Sequence, residues 1–131
     1  MKTIGLIGGM SWESTAHYYS LINTGIKQHL GGLHSAKILM YSLDFSPIEE
    51  LQARGEWEKL AAVMIDAAKR LEDAGADFLL ICTNTMHKLA QEVKEASNIP
   101  LLHIADATAE QLIKDNIETA GLLGTAYTME Q

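Results

Sequence analysis

The chain has 131 residues; Lys and Arg make 10 and Asp and Glu 17, a formal net charge of −7. Hydrophobic residues make 47% and charged residues 21%, the composition of one ordinary globular domain rather than a disordered tail. The acidic balance excludes a basic nucleic-acid surface, the single Cys82 excludes a disulfide framework or Cys-rich zinc site, and no apolar run approaches the ~18 residues of a membrane helix.

Residues 3–8 form a short apolar run ending in Gly8-Gly9, the pattern of a buried strand entering a tight loop. It lacks the cleavage site of a signal peptide, so the chain is read as cytoplasmic. Ser11 or Ser14 caps the next helix, with Glu13 in its first turn. Ala16, Tyr19, Ile22 and Ile26 follow at helical spacing, and Gly31-Gly32 stops the helix. Residues 36–41 read as a second strand, and Pro47 is placed to open a short helix. Residues 56–74 are the clearest helix, with Leu60, Val63, Met64, Ala67, Ala68 and Leu71 on one stripe and Gly75 after it. A third strand at 77–81, a helix at 85–97, a fourth strand at 101–104, a helix at 105–115 and a fifth strand at 120–123 complete the pattern.

Strands alternating with helices imply right-handed βαβ units and a mostly parallel sheet flanked by helices, an α/β fold of Rossmann-like or flavodoxin-like three-layer type. Ligands of such sheets bind outside the carboxyl ends of the strands. The loops at 8–14, 42–46, 82–87 and 124–128 are therefore the candidate site. Ile4-Gly5-Leu6-Ile7-Gly8-Gly9 is echoed by Ala120-Gly121-Leu122-Leu123-Gly124-Thr125. The echo suggests a first α/β domain over 1–116, with the first strand and loop of a truncated second domain over 117–131. Without its own domain, 120–123 either joins the first sheet or leaves an apolar edge that pairs copies into a homodimer.

Cys82-Thr83-Asn84-Thr85-Met86-His87 lies where a strand becomes a helix. Backbone N–H groups at that point, with the Asn84 and Thr85 side chains, suit a carboxylate or phosphate. A thiol there is a candidate nucleophile or proton carrier. The plainer reading makes Thr and Asn ordinary caps and Cys82 a small buried hydrophobe. Alternation puts Cys82 on the face of Leu80 and Thr83 on that of Ile81, without saying which meets the cleft. Gly8-Gly9-Met10-Ser11 matches no nucleotide fingerprint. His17, His29, His34, His87 and His103 show no zinc-helix spacing, and no metal site is expected. His87, one helical turn after Thr83, either orients a site residue or merely packs. Glu49, Glu50, Glu56 and Glu58 read as solvated helix charges.

The opening Ile4-Gly5-Leu6-Ile7-Gly8-Gly9-Met10-Ser11-Trp12-Glu13-Ser14-Thr15 resembles that of the aspartate/glutamate racemase family. So do Cys82-Thr83-Asn84-Thr85-Met86-His87, Leu102-His103-Ile104-Ala105-Asp106-Ala107-Thr108 and Leu123-Gly124-Thr125-Ala126-Tyr127-Thr128-Met129-Glu130-Gln131. The likeness is greatest to the broad-specificity or L-specific branch. The resemblance implies one half of a pseudo-symmetric two-domain fold, with the active site in the cleft between halves. It implies racemisation of a small acidic amino acid without pyridoxal phosphate or metal, by one acid/base residue from each half. The first would be Thr83 or Cys82. Many members carry a thiol where this chain has Thr83, so a one-thiol variant is implied. No Gly-Cys-Thr motif, the family's second base, occurs in the 131 residues. Substrate-binding positions map onto Met10, Ser11, Gln52, Asn84, Thr85 and Thr125. Two other functions fit the same pattern: isomerisation of a small dicarboxylate of the maleate type, and carboxylate binding without catalysis.

Overall fold

The structure, a computed structural model, describes residues 1–130; Gln131, the end of the expected segment 117–131, lies outside the described residues. In chain order it has β1 (Thr3–Gly8), α1 (Trp12–Leu30), β2 (Lys37–Ser42), α2 (Phe45–Ala53), α3 (Trp57–Asp73) and β3 (Phe78–Ile81). A 3-10 turn (Thr85–Leu89), α4 (Ala90–Ala96), α5 (Ile104–Lys114) and α6 (Ala126–Glu130) follow. The sheet has three parallel strands in the order β2-β1-β3. Gly8 pairs with Ser42 and Ile7 with Ile81, so all three carboxyl ends emerge at one edge.

Helices cover both faces of the sheet, and the strand period decides which residue meets which. A Cβ on Gly8 would stand 2.4 Å from the Thr15 side chain, so even-numbered β1 positions face α1. Odd-numbered Ile7 joins Leu79, Ile81, Leu60, Met64, Ala67, Ala68 and Leu71 in the core under α3. These residues of α3 are the expected stripe, and their burial is what holds the helix on the sheet. Ser11 caps α1 through its hydroxyl, which accepts from the Ser14 N–H. Asp44 caps α2 by accepting from the Ser46 N–H, which leaves Pro47 as the third helical residue rather than the first.

Three expected elements differ. The fourth strand, 101–104, reduces to a single parallel bridge between Leu79 and Leu101, because His103 already caps α5 by accepting from the Ala105 N–H. The helix at 85–97 begins as the 3-10 turn and becomes α-helical only at Ala90. The fifth strand, 120–123, has no strand structure: no neighbouring strand offers a ladder, and Leu122 and Leu123 stand 64% and 93% exposed. It therefore neither joins the sheet nor forms an edge. No helix among the described residues is long and apolar enough to cross a membrane.

Candidate functional site

Three loops meet at the carboxyl edge of the sheet. After β1, Gly9 takes a positive φ of 90°, and a Cβ there would stand 2.0 Å from the Leu43 carbonyl oxygen. Only glycine fits this approach. The Leu43 N–H in turn donates to the Gly8 carbonyl at 2.9 Å, and the Gly9 N–H donates to the Thr15 hydroxyl at 2.9 Å. The loops after β1 and β2 are thus one unit. The loop after β3 joins them through the Cys82 N–H, which donates to the Ile7 carbonyl at 2.9 Å.

The two acid/base candidates sit differently. Cys82 continues the face of Gly8, toward α1, and its thiol lies with the half-buried Tyr18. It has no solvent exposure, and burial pushes its pKa up to about 12. Burial, with Cys82 close by, also raises the Tyr18 pKa, and the Tyr18 hydroxyl is buried without a hydrogen-bond partner. A neutral, sealed thiol is the opposite of an activated one. Thr83, by contrast, is half-buried.

Asn84 is exposed and makes no side-chain cap bond to the 3-10 turn it precedes, so its amide is not spent on the backbone. Thr85 is half-buried. Both line a cavity of about 520 Å³, within the range of small-ligand sites. His87, His103 and Leu112 also line it, as do Leu122, Tyr127 and Thr128 of the chain's last segment. Tyr127 rests edge-on against Trp57 at 5.9 Å, and Lys88 stands 4.0 Å above the same indole. The lining is mostly apolar, with the Asn84 amide and the hydroxyls of Thr85, Thr108 and Thr128 as polar points.

The other expected residues are scattered. Met10 is 3% exposed, its side chain in the core, so only its backbone is at the loop. The Ser11 hydroxyl is occupied as the α1 cap. Gln52 is half-buried on α2, and Thr125 is exposed, 3.3 Å from the Thr128 hydroxyl. Neither Gln52, Thr125, Thr83 nor Cys82 lines the cavity, whereas Asn84 and Thr85 do. His87 and His103, whose rings approach to 4.5 Å, both line the cavity; the sequence offered His87 as a residue that orients the site or merely packs, and gave His103 no role there. The spacing of His87 one turn after Thr83 was the available signal. No group of three His, Cys, Asp or Glu side chains among the described residues is placed to hold a metal ion.

A family model described as Asp/Glu/Hydantoin racemase matches residues 7–131. The broad-specificity amino-acid racemase RacX of Bacillus subtilis (strain 168) is 26% identical over 128 residues, 97% of this chain and 56% of RacX. The crystal structure of a Yersinia pestis protein, a candidate Asp/Glu racemase, superposes over all of this chain and 57% of that one, with a TM-score of 0.96 and 58% identity. An aspartate racemase homologue from Pyrococcus horikoshii OT3 matches 88% of this chain and 50% of its own, with a TM-score of 0.76 and 35% identity. The chain thus spans about half the length of these relatives.

Proposed function

The chain belongs to the Asp/Glu/Hydantoin racemase family, and from that membership we propose that it is one half of a cofactor-independent racemase of aspartate or glutamate, working in the cytoplasm. The observation that carries the reading is the turn after β3. There Asn84 and Thr85 offer donors to one cavity, directly after a half-buried Thr83 hydroxyl and a sealed Cys82 thiol.

The α-proton of an amino acid is weakly acidic, and its removal pushes charge into the carboxylate. Donors already fixed around that carboxylate lower the barrier without reorganising. In this reading Asn84 and Thr85 are those donors. Met10 and Ser11 supply backbone from the Gly9 loop, and Gln52 and Thr125, which stand outside the cavity in this half, reach the substrate only with the two halves together. Thr83 stands on one face of the α-carbon. A second acid/base residue, from the other half, stands on the opposite face, and the two exchange roles with the direction of reaction. A Thr hydroxyl is a far weaker base than a thiolate, so Thr83 delivers or relays the proton and the stronger base stands opposite. Cys82 supports the turn by packing.

The test gives the two-domain protein L-aspartate, L-glutamate and maleate in parallel. Decay of the circular-dichroism signal of either amino acid, with maleate untouched, is the expected result. Conversion of maleate alone would make the protein a dicarboxylate isomerase. Calorimetric binding of aspartate or glutamate without any turnover would make it a carboxylate-binding module. Either result would overturn the racemase reading.

A further inference from the structure

We propose that His87 is a positioning residue: its neutral imidazole is a strut that joins the Thr83 carbonyl at the end of β3 to the Ile104 N–H at the start of α5, holding the turn at 83–85 in its working geometry. The inference deepens the racemase reading and rests on it only in giving Thr83 and Asn84 their roles.

The hydrogen bonds assign the tautomer. The Ile104 backbone N–H can only donate, and it points at Nε2 of His87 at 3.5 Å. Nε2 must therefore be the bare nitrogen, which places the ring proton on Nδ1. Nδ1 lies 2.7 Å from the Thr83 carbonyl oxygen, which can only accept. Each nitrogen thus meets the one backbone group that suits it. The His87 N–H also donates to the Asn84 carbonyl at 3.0 Å, so the residue holds two successive carbonyls of the turn. A histidine that merely packs would not bridge backbone groups of two elements.

The strut matters because α5 has little else. None of its residues is buried. Its start is held by the His87 contact, just after the Leu79–Leu101 bridge and the His103 cap. The first two N–H groups of α5 both donate to imidazoles, Ile104 to His87 and Ala105 to His103. Beyond α5 the chain brings Leu122, Tyr127 and Thr128 into the lining of the same cavity as Asn84 and Thr85. His87 therefore ties the turn that carries Asn84 and Thr85 to the start of the helix that leads to those residues.

Protonation would break the strut, because a hydrogen on Nε2 would face the Ile104 N–H. Burial disfavours the charged ring most, lowering the pKa of His87 below its ordinary 6.5. The His103 ring at 4.5 Å and Lys94 of α4, the titratable groups that act on it, add to that, while the Thr83 and Asn84 carbonyls oppose it. The neutral ring stabilises the fold above the unfolded-state value. That stability is lost as pH falls through the lower folded value.

Two measurements on the two-domain protein, the first with uniform ¹⁵N labelling, test the strut. Long-range ¹H–¹⁵N spectra at neutral pH are expected to show His87 protonated at Nδ1 and bare at Nε2. On acidification the Ile104 and Thr85 amides are expected to shift together with the ring, at a midpoint below 6.5. The second measurement is racemisation. His87→Asn keeps an N–H near the Nδ1 position but loses the acceptor for the Ile104 N–H and is expected to lower kcat about 3- to 10-fold, whereas His87→Phe, which fills the space without either bond, is expected to lower kcat about 10- to 100-fold, both at nearly constant KM. A proton on Nε2, a ring titration that leaves both amides unmoved, or wild-type kcat in His87→Phe overturns the proposal. Should the wild type not racemise, the racemase reading fails and the tautomer still decides the strut. Should His87→Phe not fold, the tautomer and His87→Asn decide it.

Discussion

At the end of β3 the Cys82 thiol has no exposure, and burial pushes its pKa up to about 12, so the thiol stays neutral at pH 8. An aromatic disulfide reagent is accordingly expected to label Cys82 only after denaturant is added; immediate labelling of the native protein would contradict its burial. Cys82→Ala is expected to cost about 1 kcal/mol of stability and to leave turnover within about threefold. The raised values of Cys82 and Tyr18 both favour neutral forms in the fold. That stabilisation is intact below the ordinary 9.0 and 10.0 and is lost as pH rises, through about 12 for the thiol. Thermal midpoints should fall between pH 8 and pH 10.5, by less in Cys82→Ala. The alternation of β3 was legible in the sequence, but its sense was not: it took the contact of Gly8 with Thr15 to show that the Cys82 face is closed by α1. Gly9 carries a parallel expectation. Gly9→Ala should cost at least about 2 kcal/mol, because a Cβ would meet the Leu43 backbone at 2.0 Å under a positive φ. Gly25 lies inside α1 with open space around it, so Gly25→Ala should stabilise by about 1 kcal/mol. Urea midpoints of the two variants should move in opposite directions.

Among the elements, those that bury a face within the described residues were legible and those without a pairing partner there were not. The stripe of α3 and the Gly-bounded run of β1 announce themselves because their apolar periods are complete within the chain. Residues 120–123 carry an equally apolar strand pattern, yet a strand exists only through a ladder, and none is offered there. The 3-10 turn at Thr85–Leu89 escaped the helical reading of 85–97 because Met86 and Leu89, its buried residues, also fit an α-helical period. Native-state hydrogen exchange should reproduce this division. Amides of β1 and α3 should open at the global free energy, whereas those of α5 and α6, which bury no residue, should open well below it. Equal protection of α5 and α3 would contradict the packing described. Leu60→Ala and Met64→Ala, each 1% exposed, should cost about 2–5 kcal/mol by denaturation.

On the scale of the whole molecule, one half of a two-domain racemase fold is present, and the loops at its carboxyl edge carry the candidate site. Leu122 and Leu123 stand largely exposed, in the segment 117–131 that the two-domain reading assigns to the second half. The echo of the first strand at 120–125 suggested a second unit in the sequence, but 120–123 forms no strand; the cavity was not readable, because Asn84 and Thr128 come to line it together only through the return of the chain after α5. The central claim is that Thr83 moves a proton at the α-carbon of an acidic amino acid. Exchange of that proton in D₂O, followed by NMR with L- and D-aspartate and glutamate, measures the step even where inversion fails. The two-domain protein should exchange the α-proton of at least one pair of enantiomers, and Thr83→Ala should slow it about 100-fold or more while Cys82→Ala does not. No exchange with any of the four substrates, or wild-type exchange in Thr83→Ala, would contradict the claim.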